Sequence, residues 1–318
     1  MPPCWLVPAD GVVLSLAVVI PTLGRHTTLR RVLDLLARHR AEAGPLEVVV
    51  AADARESDLD SLREAVAGRP WPAQLVQGAS AGASSARNAG WRAARSDLVL
   101  FLGDDILPRA GLLAGHLARH AAEPGEDVGV LGLVSWAPEL GRSAFMVWLD
   151  HGMQFDYPSI EGDEAGWGRF NTANASVKRA LLVQAGGFDE GLPFLYEDLD
   201  LARRFHERGF RLLYERGAVG EHLHRPTLDD WRTRMEMVGQ AERRFVEKHP
   251  EVQPYFHDML SRAAAAPAAR GRAAPLIRWL PRSFPVLGEL AWSSADLLYR
   301  QQLAPPFLRG WEAAGRDG

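Results

Sequence analysis

The nine residues Asp97–Leu98–Val99–Leu100–Phe101–Leu102–Gly103–Asp104–Asp105 carry an apolar run that ends on two carboxylates. Five apolar residues without polar alternation fit a strand buried on both faces, which is the pattern of a parallel sheet covered by helices. Working outward, Ser15–Ile20 and Glu47–Ala51 read the same way, and Ala73–Val76 is a shorter third run. Between them lie helical patterns. Leu29, Val32, Leu33 and Leu36 fall at i, i+3, i+4 and i+7; a polar helix spans Leu59–Ala67, and Ser84–Arg95 follows a Gly/Ala/Ser loop. Strand and helix alternating at this pitch predict right-handed βαβ units and an α/β fold, with a mostly parallel central sheet flanked by helices. Ligands of such sheets bind beyond the carboxyl ends of the strands, which is where Asp104 and Asp105 stand.

Past Pro108 the spacing predicts a helix over Ala110–Ala121, a strand over Val128–Val134, and a long aromatic, irregular stretch over Ser135–Arg169 containing Trp136, Phe145, Trp148, Phe155, Tyr157 and Trp167. Strands are expected at Asn171–Val177 and Arg211–Tyr214, with a turn at Arg216–Gly217. Helices are expected at Lys178–Ala185, Asp198–Arg208 and Leu228–Lys248. The Ala-rich piece Ala263–Ala274 reads as a linker or frayed helix. This organisation divides the chain into an α/β domain over 1–226, with halves at about 15–108 and 109–226, and a helical C-terminal extension over 227–318.

Composition narrows the classes. Of 318 residues, 47% are hydrophobic and 24% charged, which is globular rather than disordered. The formal charge of −4 gives no global basic field for nucleic acid. Cys4 stands alone, which excludes an intrachain disulfide and a Cys-rich zinc module. The apolar run Gly11–Ile20 has no basic lead and stops at Pro21, so it reads as a strand rather than a secretory signal. No stretch reaches the roughly 20 apolar residues of a spanning helix, and the expected location is cytoplasmic. The segment Ala274–Tyr299 is apolar but broken by prolines and charges. Two readings stay open for it: packing on its own catalytic domain, or peripheral contact with the inner face of a membrane, with Trp279, Phe284 and Trp292 on one side and arginines at the headgroups.

Four clusters carry chemistry-bearing residues. Asp104 and Asp105 at a strand end suit a divalent cation, which takes oxygen ligands; the other reading is a turn with an Asp capping the next helix. Glu197 and Asp198 open a helix, where either the positive end of the dipole or a general-base role accounts for them. His222 and His224, at i and i+2, point to one side of an extended segment and suit a metal, or are a surface pair. The loop Gly82–Gly90 opens a helix with Arg87 inside it, fit for a phosphate or for ordinary capping.

Taken together and in order, Val18–Thr22, Ala86–Gly90, Phe101–Asp105, Asn174–Val177 with Gly186–Glu190, Glu197–Asp198 and His222 resemble the family 2 glycosyltransferases of the GT-A fold over roughly residues 15–225. The resemblance implies a GT-A, Rossmann-like sheet and an inverting displacement on a nucleoside-diphosphate sugar bound through Mn2+ or Mg2+. It further implies a carbohydrate, lipid-linked or small-molecule acceptor and no nucleic acid partner. Carried over by position, Pro21, Thr22 and Asp53 would line the nucleotide pocket and Arg87 would lie near the base or diphosphate. Asp105 would bind metal with Asp104 beside it, Asp198 would be the base with Glu197 its acidic neighbour, and His222 (or His224) would reach the metal or diphosphate. Asn174 and Trp167 would border sugar and acceptor. Two positions depart from the family pattern: Gly103 stands where an Asp is usual, and Ala52 replaces the first of two acids after the second strand. These departures keep a non-catalytic sugar-nucleotide-binding relative open. A sugar-nucleotide pyrophosphorylase is disfavoured, because Gly24–Arg25–His26 is a poor triphosphate loop.

Overall fold

The structure is a computed structural model that describes residues 14–154, 156–192, 195–269 and 271–316. Cys4, the start of the run at Gly11 and Phe155 lie outside the described residues. The chain forms two compact units: one takes the residues up to Ala137 with Ile160–Gly191 and Glu197–His224, and the other takes Pro138–Ser159, Leu192–Tyr196 and the chain from Arg225 onward.

Among the described residues the first unit has eight strands: β1 (Leu16–Thr22), β2 (Leu46–Ala52), β3 (Ala73–Gln77), β4 (Leu98–Leu102), β5 (Ile106–Pro108), β6 (Val128–Trp136), β7 (Asn174–Lys178) and β8 (Arg211–His222). They lie in the order β3-β2-β1-β4-β7-β6-β8-β5. β1 to β4, β6 and β8 run one way, and only β5 and β7 are reversed. The sheet is therefore mostly parallel, as the unbroken apolar runs predict: β1, β2 and β4 are buried on both faces over nearly every residue. The helices α1 (His26–Arg38), α2 (Leu59–Val66), α3 (Ala83–Ala93), α4 (Leu112–Ala122), α6 (Arg179–Ala185) and α7 (Glu197–His206) belong to this unit. The expected stripe Leu29, Val32, Leu33 and Leu36 is the buried face of α1.

Two features on the β8-β5 side of the sheet were not visible in the pattern. β5 is three residues long, too short to show a period. The expected turn at Arg216–Gly217 is instead a bulge inside β8, because Gly132 of β6 faces Glu215 while Leu133 faces Val219. Residues 216–218 are thus extra, and a bulge of this kind bends the strand. Beyond it, His222 lands opposite both Trp136 of β6 and Ile106 of β5.

The second unit is helical: α5 (Ala144–Leu149), α8 (Leu228–Lys248), α9 (Tyr255–Ala265) and α10 (Leu287–Ala314). α8 has the predicted bounds and begins with a capping box between Thr227 and Asp230. The last three residues of α9 take the start of Ala263–Ala274, the piece read as a linker or frayed helix. Buried Glu242 on α8 accepts the N–H groups of Phe256 and His257, each at 2.8 Å, and so neutralises two of the open donors in the first turn of α9. α8 and α10 cross with almost no gap: a Cβ at Gly310 would sit 1.9 Å from the Glu236 carbonyl oxygen, and one at Gly239 would sit 2.1 Å from that of Phe307. Among the described residues no helix is long and apolar enough to cross a membrane.

Candidate active site

The strand ends of β1, β4 and β8 bring the first group together. The Thr22 hydroxyl donates to Asp104 Oδ2 at 2.8 Å, and the Arg25 guanidinium donates to Asp104 Oδ1 at 3.2 Å and also to Asp105. His222 Nε2 lies 3.4 Å from Asp105 Oδ2. The backbone fixes this approach, since the Leu223 N–H donates to the Asp105 carbonyl at 2.8 Å. Trp136 stacks on the His222 ring, centroids 5.4 Å apart, which holds its plane. His224 is adjacent, with its ring 5.9 Å from that of His222. Burial, then repulsion from Asp105, pushes the Asp104 carboxyl up to about 6 despite Arg25 and Thr22. Asp105 is also penalised by burial, yet His222 and Arg25 hold it below the usual carboxylate range.

Gly103 has a local reason. The turn is closed by Ile106 N–H donating to the Gly103 carbonyl at 3.1 Å, and a Cβ at 103 would meet Ile106 Cγ1 at 2.8 Å and Asp105 Oδ1 at 3.0 Å. A side chain there displaces the carboxylate that faces His222.

The second group gathers on α3 and α7. Arg87 donates to Glu197 at 2.8 Å and lies 3.9 Å from Asp198, and its positive charge is felt at Asp104 as well. Asp198 also accepts from the Thr172 N–H (2.9 Å) and hydroxyl (2.9 Å). Its side chain keeps 21% of its surface open, so it is held but reachable. Burial pushes its pKa up to about 6, against the pull of Arg87 and the Thr172 bonds and with the push of Glu197. Arg87 is the electrostatic link between the two groups.

The motif around Arg87 divides its labour by residue. Asn88 clamps the Gly186–Glu190 turn, donating to the Phe188 carbonyl (2.9 Å) and Glu190 (2.8 Å) and accepting from the Phe188 N–H (2.9 Å). Gly187, at φ +80°, passes so close that a Cβ would sit 2.5 Å from Asn88 Oδ1. Gly90 lets α3 press onto β1, where a Cβ would meet Val19 Cγ1 at 2.4 Å. Arg87 is thereby pinned between a helix that cannot move away from the sheet and a turn fastened to that helix.

The other predicted residues are placed as follows. Pro21 is half-buried near the end of β1, beside Thr22. Asp53 is turned inward: it accepts from the Arg55 N–H and guanidinium and, at 2.8 Å, from the Gly82 N–H that opens α3. Those bonds, led by the Arg55 side chain, hold its pKa near 2, and Arg55 rather than Asp53 presents itself to solvent. Asn174 does not border an open site. It is fully buried, bonding His116 Nε2 at 2.9 Å and the carbonyls of Leu133 and Ala218, because β7 lies in the middle of the sheet. Trp167 stacks on His206, the last residue of α7, about 12 Å along the helix from Asp198 by helical rise. Sequence reasoning missed Arg25, Thr172 and Arg55. Arg25 was weighed only as part of a triphosphate loop, and Thr172 sits in no motif of its own.

A divalent cation is tested by its donors. Asp105 and His222 converge, but no group of three or more His, Cys, Asp or Glu side chains is poised for a metal among the described residues. One carboxylate and one imidazole fit Mn2+ or Mg2+ where diphosphate oxygens and water complete the shell, the usual way such ions are held.

This sheet, with its acidic strand ends facing a helix-borne carboxylate, is the GT-A glycosyltransferase fold. A mannosyltransferase from Pyrobaculum calidifontis, solved in complex with GDP-Man and Mn2+, superposes with a TM-score of 0.62 at 19% identity, covering 98% of this chain and 89% of that one. Residues 17–151 match the family model Glycosyl transferase family 2. Among curated proteins, the pre-mycofactocin glycosyltransferase of Mycobacterium tuberculosis is 29% identical over 242 residues, covering 74% of this chain and 48% of that protein. The validoxylamine A glucosyltransferase of Streptomyces hygroscopicus is 27% identical over 274 residues, covering 75% and 58%. The chain spans about half the length of these curated relatives.

Proposed function

We propose that the protein is an inverting glycosyltransferase that moves a sugar from a nucleoside-diphosphate sugar to an acceptor hydroxyl, with Asp198 as the base. The acceptor is a carbohydrate, a lipid-linked sugar or a small molecule. The observation that carries this reading is the setting of Asp198: oriented by Thr172 and Arg87, partly open, and basic enough near pH 6 to take a proton while remaining mostly ionised at neutral pH. As the acceptor oxygen forms its bond to the anomeric carbon, its proton passes to Asp198. The bond from that carbon to the phosphate oxygen breaks, and the nucleoside diphosphate leaves with the electron pair. Arg87 and Arg25 supply fixed positive charge toward that leaving group. Asp105 and His222 would hold Mn2+ or Mg2+, which when bound neutralises diphosphate charge. Arg25 then exchanges the Asp105 carboxylate for phosphate oxygen.

The pyrophosphorylase reading finds no support at the loop after β1. Its Gly24 N–H is occupied by the Glu56 carboxylate at 2.7 Å, a negative group where a triphosphate would need room. The test is donor turnover. Nucleoside diphosphate release is expected to fall about 10²–10⁴-fold in Asp198→Asn, with nucleoside diphosphate affinity within about twofold of wild type by calorimetry. Unchanged release in the variant overturns the assignment of the base, and binding without turnover in the wild type indicates the non-catalytic relative.

A further inference from the structure

Ten large hydrophobic side chains stand exposed among the described residues, and six of them fall within fifteen positions: Leu276, Trp279, Phe284, Val286, Leu287 and Leu290. Trp279 is the most open, at 76%. The segment runs from a 3-10 turn (Ala274–Arg278) into the start of α10, and it stays fastened to its own unit. Ala274 and Ile277 are buried beneath it, and the Trp292 indole N–H donates to the Leu280 carbonyl at 3.1 Å. The apolar side chains point outward from an anchored backbone. Exposed arginines, Arg272, Arg278 and Arg282, flank them against a single exposed acid, Glu289, and Arg278 lies over the Trp279 ring at 5.3 Å.

We propose that the Leu276–Leu290 face docks on the surface of a bilayer rich in anionic lipid. An indole, a phenyl ring and aliphatic side chains ringed by guanidinium groups match the boundary between headgroups and acyl chains, where apolar groups enter and arginines meet lipid phosphates. Charge selects this occupant over a second copy of the chain. A symmetric contact would set these arginines against their own counterparts, whereas an anionic headgroup layer complements them. No described helix can cross the membrane, so the contact lies on the surface. The proposal stands apart from the donor-site reading, since it concerns where the enzyme sits and not what it transfers.

The experiment is co-sedimentation of the full chain with vesicles of phosphatidylglycerol and phosphatidylcholine, against vesicles of phosphatidylcholine alone. The net excess of two positive charges predicts about thirtyfold tighter binding to the anionic vesicles at low salt. Trp279→Glu with Phe284→Glu is expected to weaken that binding at least about tenfold, with nucleoside diphosphate binding unchanged as evidence of intact folding. Arg278→Gln with Arg282→Gln is expected to remove the preference for anionic lipid. Three results overturn the proposal: no sedimentation with either vesicle, equal sedimentation of the Glu variant, or a Trp279-dependent dimer in velocity sedimentation without vesicle binding.

Discussion

Replacing Arg87 with methionine tests the electrostatic centre of the site without needing a substrate. Methionine fills much of the arginine volume, so the change removes charge more than packing. Arg87 and Glu197 are 12% and 8% exposed at 2.8 Å, and Asp198 is 3.9 Å away. At an effective dielectric constant of about 20, these separations correspond to gross attractions of about 6 and 4 kcal/mol. Much of that offsets the cost of burying the charges, and breaking a buried pair by removing one partner costs about 3–5 kcal/mol. The protons give the prediction its signature. Burial already raises the Asp198 pKa to about 6 from 3.8, so the folded state prefers the protonated form. This carboxylate favours folding most below pH 3.8, and the benefit is lost as pH rises through 6. Without Arg87, Asp198 is raised further, and its lost benefit reaches to higher pH. The variant should therefore show its full deficit in urea unfolding at pH 8 and a clearly smaller one at pH 5.5. Adding Glu197→Gln should restore part of the loss at pH 8. A deficit equal at both pH values would refute the reasoning, because it would mean that lost packing rather than unbalanced charge sets the cost.

Other outcomes follow from the same geometry. Thr172→Val keeps the backbone donor but removes the hydroxyl bond to Asp198, so the acid limb of the pH profile for nucleoside diphosphate release should move up by about one unit. Buried His116 bonds Ser176 and Asn174, and burial lowers its pKa to about 4 from 6.5. It supports folding fully above pH 6.5 and loses about 3 kcal/mol as pH falls to 4. The stability gap between wild type and His116→Gln should accordingly narrow over that window in denaturant titrations. Gly310→Ala forces α8 and α10 apart at a contact where the new carbon would be 1.9 Å from a carbonyl, and should cost at least about 1–3 kcal/mol in unfolding experiments.

The half of the fold with βαβ rhythm was legible because its strands are buried on both faces and its helices carry clean stripes. β1 to β4 and α1 to α3 lie within a few residues of their expected places. The far half was less so. A three-residue strand has no period, and the extra residues 216–218 imitate a turn when only their neighbour on β6 reveals a bulge. Of the candidate site residues, Asp104, Asp105, Arg87, Asp198 and His222 are picked out by their order along the chain, and the structure gathers them into two neighbouring groups. Asn174 misled because a polar residue in a motif looks like a ligand contact, whereas its bonds are spent inside the sheet on His116 and two carbonyls. Arg25 and Thr172 were hidden for the opposite reason: their partners lie 80 and 26 residues away, and nothing local marks the pairing.

The bulge in β8 makes that strand a counted spacer. Side chains alternate faces along an extended chain, so the loss or gain of a single residue between 218 and 222 turns the imidazole away from its carboxylate and toward the opposite side. The same change within 216–218 is absorbed by slack that is already out of register. Length variation in this strand should therefore be tolerated on one side of Val219 and silence the site on the other, a positional asymmetry that a set of one-residue deletions can map directly.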